Sequence, residues 1–264
     1  MAKTIVITSG KGGVGKTTLC ANLGNSLASL GFRVVLVDVD IGLNNLDVIM
    51  GVENQVVFDL TDVIENKCRT KQALIQDFNQ PSLYIMPSAH AYNKSCITAT
   101  NIRKVIKDLE TYFDIVLVDC PAGIDEPFKR AIAGCNEAMV VVTPHVSSMR
   151  DADKVITLLK ANNIKTINLI INRMRGDMVL DKDMLPPDEI ENILSTPLIG
   201  VVPEDDKVSV SSMFGCVLQD NSEAYQSINL IAQNLKNGTR KIYDCSHKYK
   251  GIFGKVKRAI KRRV

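Results

Sequence analysis

The chain has 264 residues, is 45% apolar, lacks tryptophan and carries a net charge of +3. That length suits one large α/β domain better than two, with Val, Ile, Leu and Ala filling a core typical of a parallel sheet covered on both faces. Seven cysteines without a C-x-x-C pair, and no signal peptide, exclude a secreted disulfide framework and indicate a reducing cytoplasm, and no apolar run approaches a membrane span.

The first element is a short buried strand, Thr4-Ile5-Val6-Ile7-Thr8, within a candidate strand at 3–9. Residues Leu19 to Leu30 then carry apolar side chains at helical spacing, and Gly31 marks their end. Between the two lies Gly10-Lys11-Gly12-Gly13-Val14-Gly15-Lys16-Thr17-Thr18, which fits the phosphate-binding pattern G-x-x-x-x-G-K-[ST] from Gly10 to Thr17. Glycines let backbone N–H groups turn inward around phosphate oxygens, and the helix N-terminus adds partial positive charge. Lys16 is placed to reach the β- and γ-phosphates of a nucleotide, and the Thr17 hydroxyl to ligate Mg²⁺. Lys11 is a second lysine that an ordinary loop of this kind does not need. It suggests that two copies meet to use the nucleotide.

Further strands are expected at 33–38, 83–87, 114–119, 138–143, 166–171 and 198–202, with helices at 98–111, 125–134, 147–161 and 222–236. This alternation predicts a doubly wound, mostly parallel α/β sheet with helices on both faces, as in P-loop NTPases, over residues 1–240. Ligands of such sheets bind beyond the carboxyl ends of the strands, and polar residues gather there. The run Val34 to Val37 ends in Asp38-Val39-Asp40, two carboxylates on one side of an extended segment. The run Ile115 to Val118 ends in Asp119, followed by Cys120-Pro121-Ala122-Gly123, the Walker B pattern. Asp38 and Asp119 are assigned to the water shell of Mg²⁺, and Asp40 to orienting the attacking water. A strand-end Asp is also a common cap or turn residue. Asn172-Arg173 and Pro203-Glu204-Asp205 follow two later strands and are candidates for a base pocket. An Asn amide pairs with an adenine edge and Arg packs on its face, although both segments also read as ordinary loops.

Residues 248–264 hold eight Lys or Arg and no acid, which leaves the preceding body at −5. At ~100° per residue, Tyr249, Ile252, Phe253, Val256, Ala259, Ile260 and Val264 share an arc of roughly 140°. The basic residues, Lys255, Lys257 and Arg258 among them, lie outside that arc, except Arg263 near the end. This is the pattern of an amphipathic helix lying in a membrane interface, joined to the body by a short linker at 241–247. The basic residues favour an anionic phospholipid surface, and the apolar stripe argues against the alternatives of a solvated arm or a nucleic-acid arm. One tail binds weakly, and two tails on a dimer gain avidity.

The loop with its extra lysine resembles the deviant Walker A motif of SIMIBI-class ATPases, the MinD/ParA family. Asp38 to Asp47 with Ile49-Met50-Gly51 resembles switch I of the MinD branch, and Asp119 to Ile124 its switch II. Val146 to Asp153 and Gly200 to Asp205 also fit that branch. The resemblance implies that two subunits sandwich two ATP molecules, with Lys11 of one reaching the phosphates held by the other. Lys11, Lys16 and Asp40 then form the catalytic set of a slow, dimer-dependent ATPase. It further implies recruitment of the division inhibitor MinC, and of MinE or another polar protein, near Asn45, Ser148, Arg150, Asp151 and Asp153. The expected outcome is a block to septum formation at the poles, on the inner face of the cell membrane.

Three rival readings share parts of this pattern. A ParA-type partition ATPase would bind DNA through a basic body, whereas this body is net negative. The flagellar-number ATPase FlhG has a similar tail but usually an N-terminal extension, and this chain begins at its first strand. A metallocluster protein would need cysteines in a glycine-rich setting, which neither Cys96 nor Cys135 has.

Overall fold

The computed structural model describes residues 2–42, 45–88, 97–218, 222–251 and 254. Its strands are β1 (Lys3–Thr8), β2 (Val34–Asp38), β3 (Ile75–Gln76), β4 (Leu83–Met86), β5 (Ile115–Asp119), β6 (Glu137–Val142), β7 (Thr166–Met174) and β8 (Leu198–Pro203). They form one sheet in the order β3-β4-β2-β5-β1-β6-β7-β8. Every pairing is parallel except that of β3 with β4. The seven strands expected from the sequence are all present. The additional β3 is two residues long, too short for any periodic signal.

Because both faces are covered, the strands read as continuous apolar runs, yet alternate residues serve opposite layers. Val35 and Val37 face one core with Val116 and Val118; Val34 and Leu36 face the other with Ile5, Ile7 and Leu117. The first core is covered by α4 (Ala99–Leu109), α5 (Glu126–Ile132), α6 (Val146–Ala161) and α8 (Pro187–Leu194). The second is covered by α1 (Lys16–Ser29) and α10 (Glu223–Asn237). Leu23, Leu27 and Leu36 are each fully buried, and each such side chain contributes about 1.5–3 kcal/mol. The short helices α2 (Leu46–Ile49), α3 (Leu60–Ile64), α7 (Gly176–Leu180) and α9 (Asp206–Met213), and α8 with them, were not expected, having too few turns to show a period.

The chain adds β2 and β4 on one side of β1 and β6 to β8 on the other. The direction of winding therefore reverses around β1. At such a reversal the loops beyond the strand ends part and leave a crevice. Gly10 to Gly15 occupy that place, with the ends of β2 and β5 beside them.

Residues 241–247 depart from the linker expected there. After α10 ends at Gly238 in a left-handed C-cap, Asn234 fastens the returning chain. Its amide donates to Ile199 O at 3.0 Å and Lys241 O at 2.8 Å, and its Oδ1 accepts from Lys241 N at 3.0 Å. Cys245 and Tyr249 are buried, and ion pairs Lys248–Glu223 and Lys250–Asp244 hold the segment between them. Tyr249, read from the sequence as part of the apolar arc of the tail, is 5% exposed and packs into the body. The reason is local: a short 3-10 turn, His247–Tyr249, points the ring inward before the basic run begins. Ile252, Phe253, Lys255, Val256, Lys257, Arg258 and Ile260 lie outside the described residues. No helix among the described residues is long and apolar enough to cross a membrane.

Candidate functional site

The loop between β1 and α1 is shaped by its neighbours. Gly15 is the N-cap of α1, in the left-handed region at φ 93°, and the first turn has neither a side-chain cap nor an acidic residue. Its free N–H groups and the helix dipole are thus left to an external anion. A Cβ at Gly15 would lie 2.5 Å from Asn172 Nδ2. That amide donates to Val14 O at 2.8 Å, which ties the loop to the end of β7. On the other flank, a Cβ at Gly10 would lie 2.4 Å from the Asp151 backbone, so the loop also rests on α6. Ser9 Oγ donates to Lys11 O at 2.7 Å. Lys16 is buried at the foot of the loop, whereas Lys11, Gly12 and Gly13 are exposed at its crest. Lys11 Nζ comes within 3.4 Å of Ser147 Oγ at the start of α6.

Two carboxylates face the loop from adjacent strands. Asp38 and Asp119 are in register across β2 and β5, each 1% exposed. Burial pushes the Asp38 carboxyl well above its usual range, the charge of Asp119 adds to that, and N–H groups of Asp40 and Leu46 oppose it. Asp119 is pushed up to about 7 by burial, against the pull of the Thr17 hydroxyl and Lys16. Its Oδ1 is buried and has no hydrogen-bond partner among the described residues. An orphaned anionic oxygen beside a phosphate loop is what a cation, or a water bound to one, would satisfy. Magnesium suits this donor set, since it takes one or two carboxylates, a Thr hydroxyl and phosphate oxygens and keeps several waters.

Asp40 is half-buried at the exit of β2. Its N–H donates to Asp38 Oδ1 at 2.8 Å, and its carbonyl accepts from Ser88 Oγ at 3.2 Å. The charge of Asp40 helps raise the pKa of both Asp119 and Asp38, so all three carboxylates belong to one cluster.

A cavity of about 250 Å³ opens beside the loop and is lined by Gly15, Thr18, Asn172, Arg173, Pro203, Glu204 and Asp205. The two segments read as base-pocket candidates thus meet the loop in one place. Leu19, Leu218 and Ile228 supply apolar wall that sequence reasoning missed, because they look like ordinary core positions. Asp205 has structural work as well: it caps α9 and accepts from Lys207 N at 3.0 Å and Ser222 Oγ at 2.8 Å. Burial alone would raise its pKa, but these bonds outweigh that and hold it below the usual range.

The residues expected to meet protein partners divide. Asn45, Arg150 and Asp153 are exposed. Asp151 is half-buried, pairs with Lys154 at 3.3 Å and backs Gly10. Ser148 departs from the expectation, being 3% exposed. Its hydroxyl accepts the Thr143 N–H at 3.1 Å, which fixes the start of α6 to the end of β6 and leaves no surface to offer. Ser88, a polar residue just beyond the apolar strand β4, is not among the candidates read from the sequence, although the signal that marks Asp38 and Asp119 marks it too.

Residues 5–216 match the CobQ/CobB/MinD/ParA nucleotide binding domain. The septum site-determining protein MinD of Bacillus subtilis is 42% identical over 261 residues, 97% of each chain. Among solved structures, the MinC:MinD cell division protein complex of Aquifex aeolicus aligns with TM-score 0.83 and 40% identity, covering 89% of this chain and 96% of that one. The MinD protein of Pyrococcus horikoshii complexed with Mg-ADP aligns with TM-score 0.82 and 30% identity, covering 90% and 97%.

Proposed function

Since the chain belongs to the MinD branch of the CobQ/CobB/MinD/ParA nucleotide-binding family, we propose that it is an ATP-driven switch that cycles on and off a membrane. In this reading two subunits meet face to face over two ATP molecules. Lys16 and the loop N–H groups bind the phosphates of their own site, and Lys11 reaches those of the other subunit. Thr17, Asp38 and Asp119 hold Mg²⁺ directly or through its waters; when bound, the ion neutralises charge on the phosphate oxygens. Asp40 holds the attacking water in line, and Asn172, Arg173, Pro203, Glu204 and Asp205 receive the base. Hydrolysis dissolves the dimer. Basal turnover is slow at low protein concentration, because half of each phosphate site comes from the second subunit.

The dimer places two basic tails on one anionic surface, the inner face of the cell membrane, and their avidity gives ATP control over membrane residence. A relative in complex with MinC supports the corresponding partnership here. Recruitment of MinC then blocks septum formation at the poles, and MinE or another polar protein sets where the block is released. Asn45, Arg150 and Asp153 remain the exposed candidates for these contacts.

The observation that carries this reading is the division between the two lysines: Lys16 buried within the loop, Lys11 exposed at its crest. The test is sedimentation of the full chain with anionic liposomes in ATP, in ADP and without nucleotide. Binding confined to ATP supports the switch. Binding that ignores nucleotide, or no binding, overturns it and brings a DNA-partition ATPase forward.

A further inference from the structure

We propose that Ser88 is a positioning residue for hydrolysis, holding the backbone of Asp40 so that its carboxylate keeps its place in the cluster with Asp38 and Asp119. The proposal rests on the reading of Asp40 as the residue that orients the attacking water.

Asp40 stands just past the end of β2, where sheet pairing no longer fixes the chain. Two hydrogen bonds replace it. The N–H donates to Asp38 Oδ1 at 2.8 Å, and the carbonyl accepts from Ser88 Oγ at 3.2 Å. The peptide groups on both sides of the Asp40 Cα are thus pinned, which restricts where the side chain can go. The two bonds are not equivalent. Asp38 is itself a candidate for the Mg²⁺ shell, so the tether it gives shares its carboxylate with that duty. Ser88 has no such duty.

Ser88 is also well placed to serve as a fixed post. It is fully buried, so its hydroxyl has no competing solvent. It follows Pro87, whose ring fixes φ near −65°. The Pro87 carbonyl accepts the Leu60 N–H at 3.1 Å, at the first residue of α3. That helix start is locked in turn by a capping box between Asp59 and Asp62. The chain just past β4 is therefore tied to the start of α3, and Ser88 extends a donor from it to Asp40. A hydrogen bond made between rigid groups loses little entropy on reaction and holds a reacting geometry.

The test compares Ser88→Ala, Ser88→Thr, Ser88→Cys and Asp40→Ala in the full chain. Three quantities are read: single-turnover ATP hydrolysis with Mg²⁺, ADP affinity from a fluorescent ADP analogue, and the thermal midpoint. Ser88→Ala is expected to slow hydrolysis roughly 10-fold, the worth of one positioning hydrogen bond. ADP affinity should stay within about 2-fold, because only the reacting geometry is lost. Ser88→Thr, which keeps the hydroxyl, should restore the rate; Ser88→Cys, of similar size but a weak donor, should fall between. A parental rate in Ser88→Ala, with Asp40→Ala inactive, overturns the proposal and leaves the role of Asp40 standing. Loss of ADP affinity and melting temperature in step with the rate also overturns it, assigning Ser88 to the fold. A parental rate in Asp40→Ala overturns the underlying reading of Asp40 and the proposal with it.

Discussion

The side-chain amide of Asn172 donates to the carbonyl of Val14 at 2.8 Å, joining the end of β7 to the middle of the phosphate loop. A residue lining the cavity proposed for the base is thereby also a brace of the loop. Asn172→Ala removes the brace and leaves a carbonyl without its donor, at a cost of about 1–3 kcal/mol. ADP affinity should fall by roughly 10-fold or more, a larger loss than contact with the base alone would give. Competition with a fragment lacking the base, such as pyrophosphate, separates the two effects. Weaker pyrophosphate binding in the variant supports the brace, and unchanged pyrophosphate binding confines Asn172 to the base.

Gly10 and Gly12 differ in a way the motif does not reveal. An added methyl at Gly10 meets the Asp151 backbone at 2.4 Å, whereas at Gly12 the nearest heavy atom is the Ala122 Cβ at 3.9 Å. Backbone cannot move aside cheaply, so Gly10→Ala forces α6 away from the loop, with a destabilisation of about 1–3 kcal/mol. Gly12→Ala should leave the thermal midpoint of the nucleotide-free protein nearly unchanged. Thermal unfolding of both variants checks this, and equal midpoints would contradict the packing described.

The buried pair Asp38 and Asp119 sets a pH dependence with a definite sign. In the folded chain Asp119 is pushed up to about 7, against a value of 3.8 when solvated. Between those values the native state holds a proton that the unfolded chain has lost. The contribution of this group to stability is therefore present at low pH and declines as pH rises through about 4 to 7. Other carboxylates act in the opposite direction, Asp114 and Asp244 among them, both held below their usual range. The measurement is accordingly a difference. Asp119→Asn, studied without nucleotide or Mg²⁺, should gain stability relative to the parent as pH rises across this range, by a few kcal/mol in urea unfolding. The same variant should lose the Mg²⁺-dependent part of its nucleotide affinity.

The legible part of this protein was the part with a repeating signal. Runs such as Val34 to Val37 and Ile115 to Val118 announce buried parallel strands. The loop, Asp38 and Asp119 follow from what such strands present at their ends. The cavity beside the loop was legible only as two unconnected loops, because Asn172 and Pro203 come together through the pairing of β7 with β8. Ser148 illustrates the limit. Its position at a helix start suggested a surface, and its burial comes from a tertiary bond to Thr143. Tyr249 fits the apolar arc of the tail by angle alone, and its fate was decided by packing with a body that no helical wheel contains.

That burial yields a last prediction, which separates Tyr249 from the residues that follow it in the tail. Tyr249 packs into the folded body at 5% exposure, whereas the basic run lies beyond it. Tyr249→Ala removes a large buried ring and should lower stability by roughly 2–4 kcal/mol. Deletion of residues 255–264 removes six of the eight basic residues of the tail and should abolish liposome binding in ATP. It should leave the thermal midpoint and the hydrolysis rate in the absence of lipid close to those of the parent. Tyr249→Ala should keep its lipid binding at temperatures where it remains folded, since Ile252, Phe253, Val256 and Ile260 still provide the apolar stripe. If the substitution instead abolishes lipid binding without loss of stability, Tyr249 leaves the body to join the membrane-bound helix.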